Sequence, residues 1–214
     1  LVTADVVFVP VADTGETGRA EAVVAGHVPA ERVRRLRFSL AAEPEARDEV
    51  WAAAAAEVGA ALTGGETAAF ATIGDPNVYS TFAYLAAAVR RIVPELVVET
   101  VPGITAMQDL AARSNTSLCE GNELLALLPF TAGAERLAQA LDRFDTVVCY
   151  KGGRRLAEVL AIVEESGRLD EAVYGARLGL DGEEVRPARE VRGASGPYLS
   201  TLIVGPRPGA RRSA

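Results

Sequence analysis

The sequence holds one lysine, Lys151, one histidine, His27, and two cysteines, Cys119 and Cys149. Each scarcity removes a class of chemistry. With a single imidazole and neither cysteine placed near it in pattern, no Ser/His/Asp or Cys/His set is available, and no HExxH or CxxC spacing occurs. The two cysteines are too few and too unlike a ligand cluster for zinc; they read as reduced thiols, and no metal site is expected. Neither a GxxxxGK[ST] loop nor a GxGxxG following a strand is present, so ordinary nucleoside triphosphate use is unsupported as well. No run of eighteen apolar residues occurs, which gives no sign of a membrane span, and the first residues lack the basic and apolar pattern of a signal peptide. The cytoplasm is the expected compartment.

Charge narrows the partners. The net charge of −7 argues against general nucleic-acid binding, which depends on neutralising phosphates with Lys and Arg. An acidic total still allows a cleft with local arginines to take an acidic small molecule. Because Lys151 is the only lysine, nearly all the positive charge is guanidinium, a group suited to bidentate carboxylate binding; base composition of the genome is the other explanation for such a bias. The lone His27, with no ligand-spaced partner, reads as a surface or capping residue.

What is present organises around Thr72 to Thr81. A chain of 214 residues, 49% hydrophobic, can form one large domain or two small ones with a real core. Gly64-Gly65-Glu66 reads as a turn, and Ala68-Ala69-Phe70-Ala71 as a short buried strand ending at Gly74. The pattern then switches to helix, since Tyr79, Phe82, Tyr84, Leu85, Ala88 and Val89 recur three and four apart. A strand therefore delivers a polar loop to a helix start, the place where open α/β sheets bind ligands. Gly74 allows close backbone approach, Asp75 offers a carboxylate, Pro76 fixes φ, and Ser80 and Thr81 add hydroxyls. A tight turn with Asp75 capping its own backbone is the bland alternative for Gly-Asp-Pro alone.

Along the chain, Val6 to Val9 reads as a buried strand, Asp13 to Gly18 as a polar loop, and Arg19 to Gly26 as a short helix. Arg32 to Ser39 reads as a half-exposed strand and the alanine-rich Ala41 to Leu62 as a helix, with Trp51 as core packing. Leu96 to Val101 is predicted as a strand, followed by a helix from Ile104 to about Arg113, so two consecutive strand–loop–helix units suggest a parallel doubly wound sheet. The polar stretch 114–122 is the predicted linker, giving domains at 1–113 and 123–214. In the second, strands are expected at Leu124 to Leu128, Thr146 to Tyr150, Ala172 to Leu178 and Leu199 to Val204, with helices at Ala134 to Phe144 and Arg155 to Glu165. Pro206 to Ala214 reads as a frayed tail.

The longer strings are more specific than any of these. Gly74-Asp75-Pro76-Asn77-Val78-Tyr79-Ser80-Thr81, followed by Val101-Pro102-Gly103-Ile104-Thr105-Ala106, resembles the tetrapyrrole methylase family of S-adenosylmethionine-dependent enzymes. Ala4 to Pro10, Tyr150-Lys151, Gly175 to Gly179 and Pro197 to Thr201 resemble it too, in the family's order and across essentially the whole chain. The resemblance implies two α/β domains with the active site in the cleft between them, a homodimer, and a tetrapyrrole as the small-molecule partner. The Asn-Val-Tyr-Ser-Thr continuation favours the branch that methylates C20 of precorrin-2, with or without cobalt; another position-specific methylase, and a non-catalytic ligand-binding remnant of the fold, are the alternatives. Family members also carry an earlier strand, a glycine-rich loop and a helix before the Ala-Asp-Val-Val strand, and these are absent from the sequence in hand.

The same resemblance implies cofactor contacts at Ile73, Gly74, Asp75, Val78, Tyr79, Thr105, Ala106, Tyr150, Lys151, Ala176, Leu178, Ser200 and Thr201. For a substrate bearing several carboxylates it points to Tyr79, Lys151, Arg177 and Tyr198; a surface charge at a strand edge is the alternative for Arg177. Methyl transfer fits a chain so poor in acid–base residues, because the sulfonium is already a strong electrophile and the protein mainly aligns donor and acceptor.

Overall fold

The computed structural model describes residues 1–12, 17–38, 44–191 and 195–207. Most of the expected loop at Asp13 to Gly18, Ser39, the first residues of the predicted Ala41 helix and the end of the tail lie outside the described residues. The chain forms two compact units, Leu1–Ile104 and Thr105–Ala214.

The first unit holds a three-stranded parallel sheet in the order β2-β1-β3, with β1 at Val6–Val11, β2 at Val33–Arg37 and β3 at Ala68–Phe70. The central strand is apolar throughout because both of its faces are covered. Val6 and Phe8 join the core formed with α2 (Pro44–Thr63) and α3 (Phe82–Ile92), whereas Val7 and Val9 pack with Val24 and Val28, near α1 (Arg19–Val24). Gly59 of α2 lets α3 approach closely, since a methyl group there would sit 2.9 Å from Ile92 Cγ2. Trp51 packs edge-on against Phe38 and Tyr84, which bears out its assignment to packing.

One expected strand of this unit is not formed. Leu96 to Val101 makes no ladder among the described residues, and Val97 and Val101 are 89% and 75% exposed. An apolar run becomes a strand only where a neighbouring strand accepts and donates its backbone bonds, and none of the described residues does so here. Tyr79 likewise stands outside the helix to which its spacing assigned it: α3 begins at Phe82, and Tyr79 is in the left-handed region at φ 51°.

The second unit begins with α4 (Ala106–Ser114), so the division falls ahead of the predicted linker at 114–122. Packing explains the shift. Leu110 of α4 lies against Gly175, where a methyl group would be 2.6 Å from its Cδ1, and Arg113 is paired with Glu183 at 2.7 Å. The sheet has the order β4-β5-β8-β6-β7, from strands Leu125–Pro129, Thr146–Tyr150, Ser200–Val204, Ala172–Ala176 and Glu184–Pro187 respectively. Only β4 and β5 are parallel; the remaining neighbours are antiparallel, which makes this sheet mixed. Helices α5 (Ala134–Arg143) and α6 (Leu156–Glu165) bury Leu137, Leu141, Val159 and Val163 against it. No helix among the described residues is long and apolar enough to cross a membrane.

Candidate active site

In the first unit the carboxyl end of β3 runs into the loop singled out by its sequence. Ser80 accepts from the Phe82 amide at 3.2 Å, although the N-cap position of α3 is held by Thr81, whose side chain makes no capping bond. Asp75 turns inward. Its Oδ1 accepts from the Asn77 amide at 2.8 Å and its Oδ2 from the Gly103 amide at 3.0 Å. These two amides, Gly103 first and Asn77 second, hold its carboxyl below the usual carboxylate range. The bland Asx turn and a longer-range contact are therefore both present: the carboxylate pins the Gly74 loop to the Val101–Ile104 segment. Gly74 sits at φ +74°, and a side chain on Gly103 would fall on the Gly74 carbonyl oxygen, so both glycines are demanded by the meeting of two backbones. Around this contact Ile73 and Tyr79 are 45% and 44% exposed. Of the residues expected at the cofactor in this unit, all five lie on the one loop.

In the second unit the N-terminus of α4 is tied to the end of β5. Thr105 is buried and forms a capping box with Gln108, whose Oε1 accepts from the Thr105 amide at 2.9 Å. The Met107 amide donates to the Tyr150 hydroxyl at 2.8 Å. Burial raises the Tyr150 hydroxyl's pKa, while its bonds to Met107 and Thr105 oppose that rise. Thr105, Ala106 and Tyr150 are thus brought together, and Tyr150 meets α4 through its hydroxyl. Ala106 is exposed, and its amide has no partner among the described residues.

Lys151 follows Tyr150 at φ 60°, and the next turn is locked by close packing: Gly153 accepts from the Gly196 amide at 2.7 Å, and a side chain on Gly153 would fall on the Pro197 carbonyl. On the ladder, Thr201 faces Tyr150 on one side, and Ser200 faces Ala176 on the other. Ser200, Thr201 and Ala176 are buried, and the Ser200 hydroxyl is bonded to Tyr174. Leu178 is half-buried, whereas Arg177 and Tyr198 are exposed. Arg177, at φ 51°, anchors its amide on the Leu199 carbonyl at 3.0 Å.

Sequence reasoning passed over several participants. Gln108 was legible, because Thr105-x-x-Gln108 is a capping-box spacing. Gly103 was read as part of the Val101 to Ala106 string, but the close backbone contacts that it and Gly153 avoid lie far away in the chain and left no local sign. His27 is exposed, in keeping with a surface residue. The concavity lined by Glu164, Asp170, Arg189 and Glu190 includes none of the expected site residues. Among the described residues no group of three or more His, Cys, Asp or Glu could hold a metal ion.

Residues 1–191 match the family model described as tetrapyrrole (corrin/porphyrin) methylases. Cobalt-precorrin-2 C(20)-methyltransferase of Salmonella typhimurium is 30% identical over 203 residues, covering 94% of this chain and 84% of that protein. Precorrin-2 C(20)-methyltransferase of Sinorhizobium sp is also 30% identical, over 202 residues that cover 90% of this chain and 81% of the relative. Among solved structures, uroporphyrin-III C-methyltransferase from Thermus thermophilus, complexed with S-adenosylhomocysteine, superposes with a TM-score of 0.62 at 19% identity, covering 95% of this chain and 86% of that one. With a family match across most of its length and relatives aligned over nine-tenths of it, the chain belongs to the tetrapyrrole methylase family.

Proposed function

We propose that this chain transfers a methyl group from S-adenosylmethionine to C20 of precorrin-2, or of its cobalt form, giving precorrin-3A or its cobalt counterpart in cobalamin biosynthesis. The observation that carries this reading is alignment over nine-tenths of the chain with two relatives that bear that activity in their names. The residues at the strand ends fit such a cofactor. In the first unit the backbone around Gly74 and the apolar side chains of Ile73 and Val78, and in the second the exposed Ala106 amide and Leu178, are groups suited to a nucleoside with an amino-acid tail. Bound there, S-adenosylmethionine supplies an electrophilic methyl group on a sulfonium.

The protein's own part is alignment and exclusion of water. Ile73, Gly74, Asp75, Val78 and Tyr79 supply the cofactor contacts of the first unit, with Asp75 acting through the loop it pins. Thr105, Ala106, Tyr150, Lys151, Ala176, Leu178, Ser200 and Thr201 supply those of the second; Thr105, Tyr150, Ser200 and Thr201 do so mainly by fixing the backbone around them. Tyr79 also lies against the substrate or cofactor ring. A cytoplasmic homodimer accompanies this reading, and light scattering at micromolar concentration tests the dimer.

The deciding experiment pairs calorimetry with S-adenosylhomocysteine and an anaerobic assay of purified protein on precorrin-2 and cobalt-precorrin-2. One cofactor bound per chain and one methyl group gained at C20, located by NMR, is the expected result. Methylation at another ring position assigns the chain to a different member of the family. Absence of both binding and turnover supports the non-catalytic reading.

A further inference from the structure

Between β6 and its antiparallel neighbour β7 the chain reverses over Arg177 to Glu183. The reversal is two turns in succession. Leu180 donates its amide to the Arg177 carbonyl at 2.9 Å, and Glu183 donates its own to the Leu180 carbonyl at 3.1 Å. Each turn has a glycine in its third place, Gly179 at φ +70° and Gly182 at φ +75°, where a left-handed residue is required. Two turn bonds set the curvature of the segment and leave its placement against the rest of the unit to side chains.

Helix α4 supplies that placement. Leu110 and Arg113, three residues apart and so on one face of the helix, each receive a residue of the reversal. Gly175 lies bare beneath two leucines, since a methyl group there would be 2.6 Å from Leu110 Cδ1 and 3.2 Å from Leu178 Cδ2. One turn further along α4, Arg113 Nη1 donates to Glu183 Oε1 at 2.7 Å while its Nε donates to Asp109 Oδ1 at 3.0 Å. Glu183 uses its other oxygen as well, accepting from the Gly179 amide at 2.6 Å. A single carboxylate thus closes the reversal on itself and fastens it to the helix.

The side chains of Arg113 and Glu183 are 37% and 32% exposed, so as an ion pair alone they add little to folding stability. Their placement says more. At its other end α4 offers the exposed Ala106 amide, with the capping box at Thr105 and the Tyr150 hydroxyl fixing the first turn. Ala106 and Arg113 are seven residues apart, about 10 Å along a helix. Ala106 and Leu178, both expected at the cofactor, are therefore carried by one body only as long as the reversal stays fastened to α4.

We propose that Arg113 and Glu183 are positioning residues for the cofactor, their pair locking the reversal onto α4 so that Leu178 keeps a fixed place relative to the Ala106 amide. Neither residue touches the cofactor; both act through the backbone of Gly179 and the seat of Leu178 on Leu110. The lock rests on the S-adenosylmethionine reading for its ligand.

Calorimetry with S-adenosylhomocysteine and limited proteolysis, both on the whole chain, test it together. Trypsin cuts after the exposed Arg177 once the reversal is loose, and mass spectrometry follows that cut. Glu183→Gln and Arg113→Met each weaken S-adenosylhomocysteine binding by about fivefold to tenfold and speed the cut after Arg177. Their melting temperatures move by less than about 2 °C, because the pair is half in water. The double variant binds no more weakly than the worse single one. Arg113→Lys, which keeps the charge, recovers most of the affinity. By linkage, saturating S-adenosylhomocysteine slows the cut in wild type. Unchanged affinity in both single variants, or a loss of affinity that tracks a fall in melting temperature, overturns the positioning role and leaves the cofactor reading standing. A wild type that binds no S-adenosylhomocysteine refutes the cofactor reading, and the positioning role falls with it.

Discussion

Asp75 and Gly103 are joined by a 3.0 Å hydrogen bond across 28 residues of sequence, the carboxylate accepting from the amide. The same carboxylate accepts from Asn77 on its other oxygen, so neither oxygen is left without a protein donor. Its role is therefore to fix where the backbone of Gly74 and Ile104 lies. Asp75→Asn keeps the shape but replaces one acceptor by a donor that faces a donor. S-Adenosylhomocysteine affinity is expected to fall by about tenfold, the effect of losing one charge-assisted bond. Gly103→Ala breaks the same contact from the other side, so the double variant is no weaker than the worse single one. Additive losses in calorimetry would show that the two residues act separately.

Tyr150→Phe isolates a second such contact. The Met107 amide loses its acceptor in a half-buried place, a cost of about 1–3 kcal/mol for an orphaned donor. The strand survives, since the ring remains and Tyr150 still pairs with Thr201. Cofactor affinity is expected to drop through the freed N-terminus of α4. A variant that binds S-adenosylhomocysteine as tightly as wild type would show that the Tyr150 hydroxyl matters only for stability.

The two thiols respond differently to base. Burial pushes the Cys149 thiol up to about 12, whereas Cys119 is exposed. The folded protein thus keeps a proton on Cys149 that the unfolded chain gives up near the ordinary thiol value of 9.0. Stability is fully present below pH 9 and declines as pH rises toward 12, by roughly 4 kcal/mol over three pH units from this thiol. Chemical denaturation across this range, with Cys149→Ala as the control, measures the slope. At pH 8 iodoacetamide is expected to label Cys119 and to reach Cys149 only in denaturant; rapid double labelling of the native protein would contradict that burial.

Much of this was legible because it is local. Thr146 to Tyr150 is a continuous apolar run, and it forms a strand with those same ends because both its faces are covered. The strand-to-loop edges near Gly74 and at Tyr150 were likewise visible as changes of pattern, whereas the strand expected to run on to Leu178 ends at Ala176. β7 went unread, because Glu184-Val185-Arg186-Pro187 is short, charged and ends in proline, as suits an edge strand. Leu96 to Val101 had the composition of a strand, and composition does not supply a neighbour. The left-handed turns at Tyr79, Lys151 and Arg177 left no trace, since none of the three is a residue that favours such a turn. Nonlocal ties such as Asp75 with Gly103 depend on a fold already assembled.

Arg168 is the residue whose role runs furthest from its sequence appearance. It is 1% exposed, and its guanidinium donates to the carbonyls of Leu141 at 2.7 Å, Phe144 at 3.0 Å and Val204 at 3.4 Å, and also to those of Asp145 and Gly205. Burial, and then Arg207, lower its pKa below the ordinary arginine value, while Asp145 opposes them. Five planar donors meet carbonyls from the end of α5, the turn into β5 and the end of β8, closing that end of the second unit. Arg168→Leu leaves several carbonyls without a donor and is expected to cost roughly 3–5 kcal/mol. Arg168→Lys recovers little of it, because an ammonium offers three donors from one point and cannot span the set. In urea the midpoint should fall for both variants with the slope of the transition kept. Below the transition, S-adenosylhomocysteine affinity should match wild type, since Ser200 and the edge proposed for the cofactor lie at the opposite end of β8. A stable Arg168→Lys variant would mean that charge alone, rather than the shape of the guanidinium, holds this end of the sheet together.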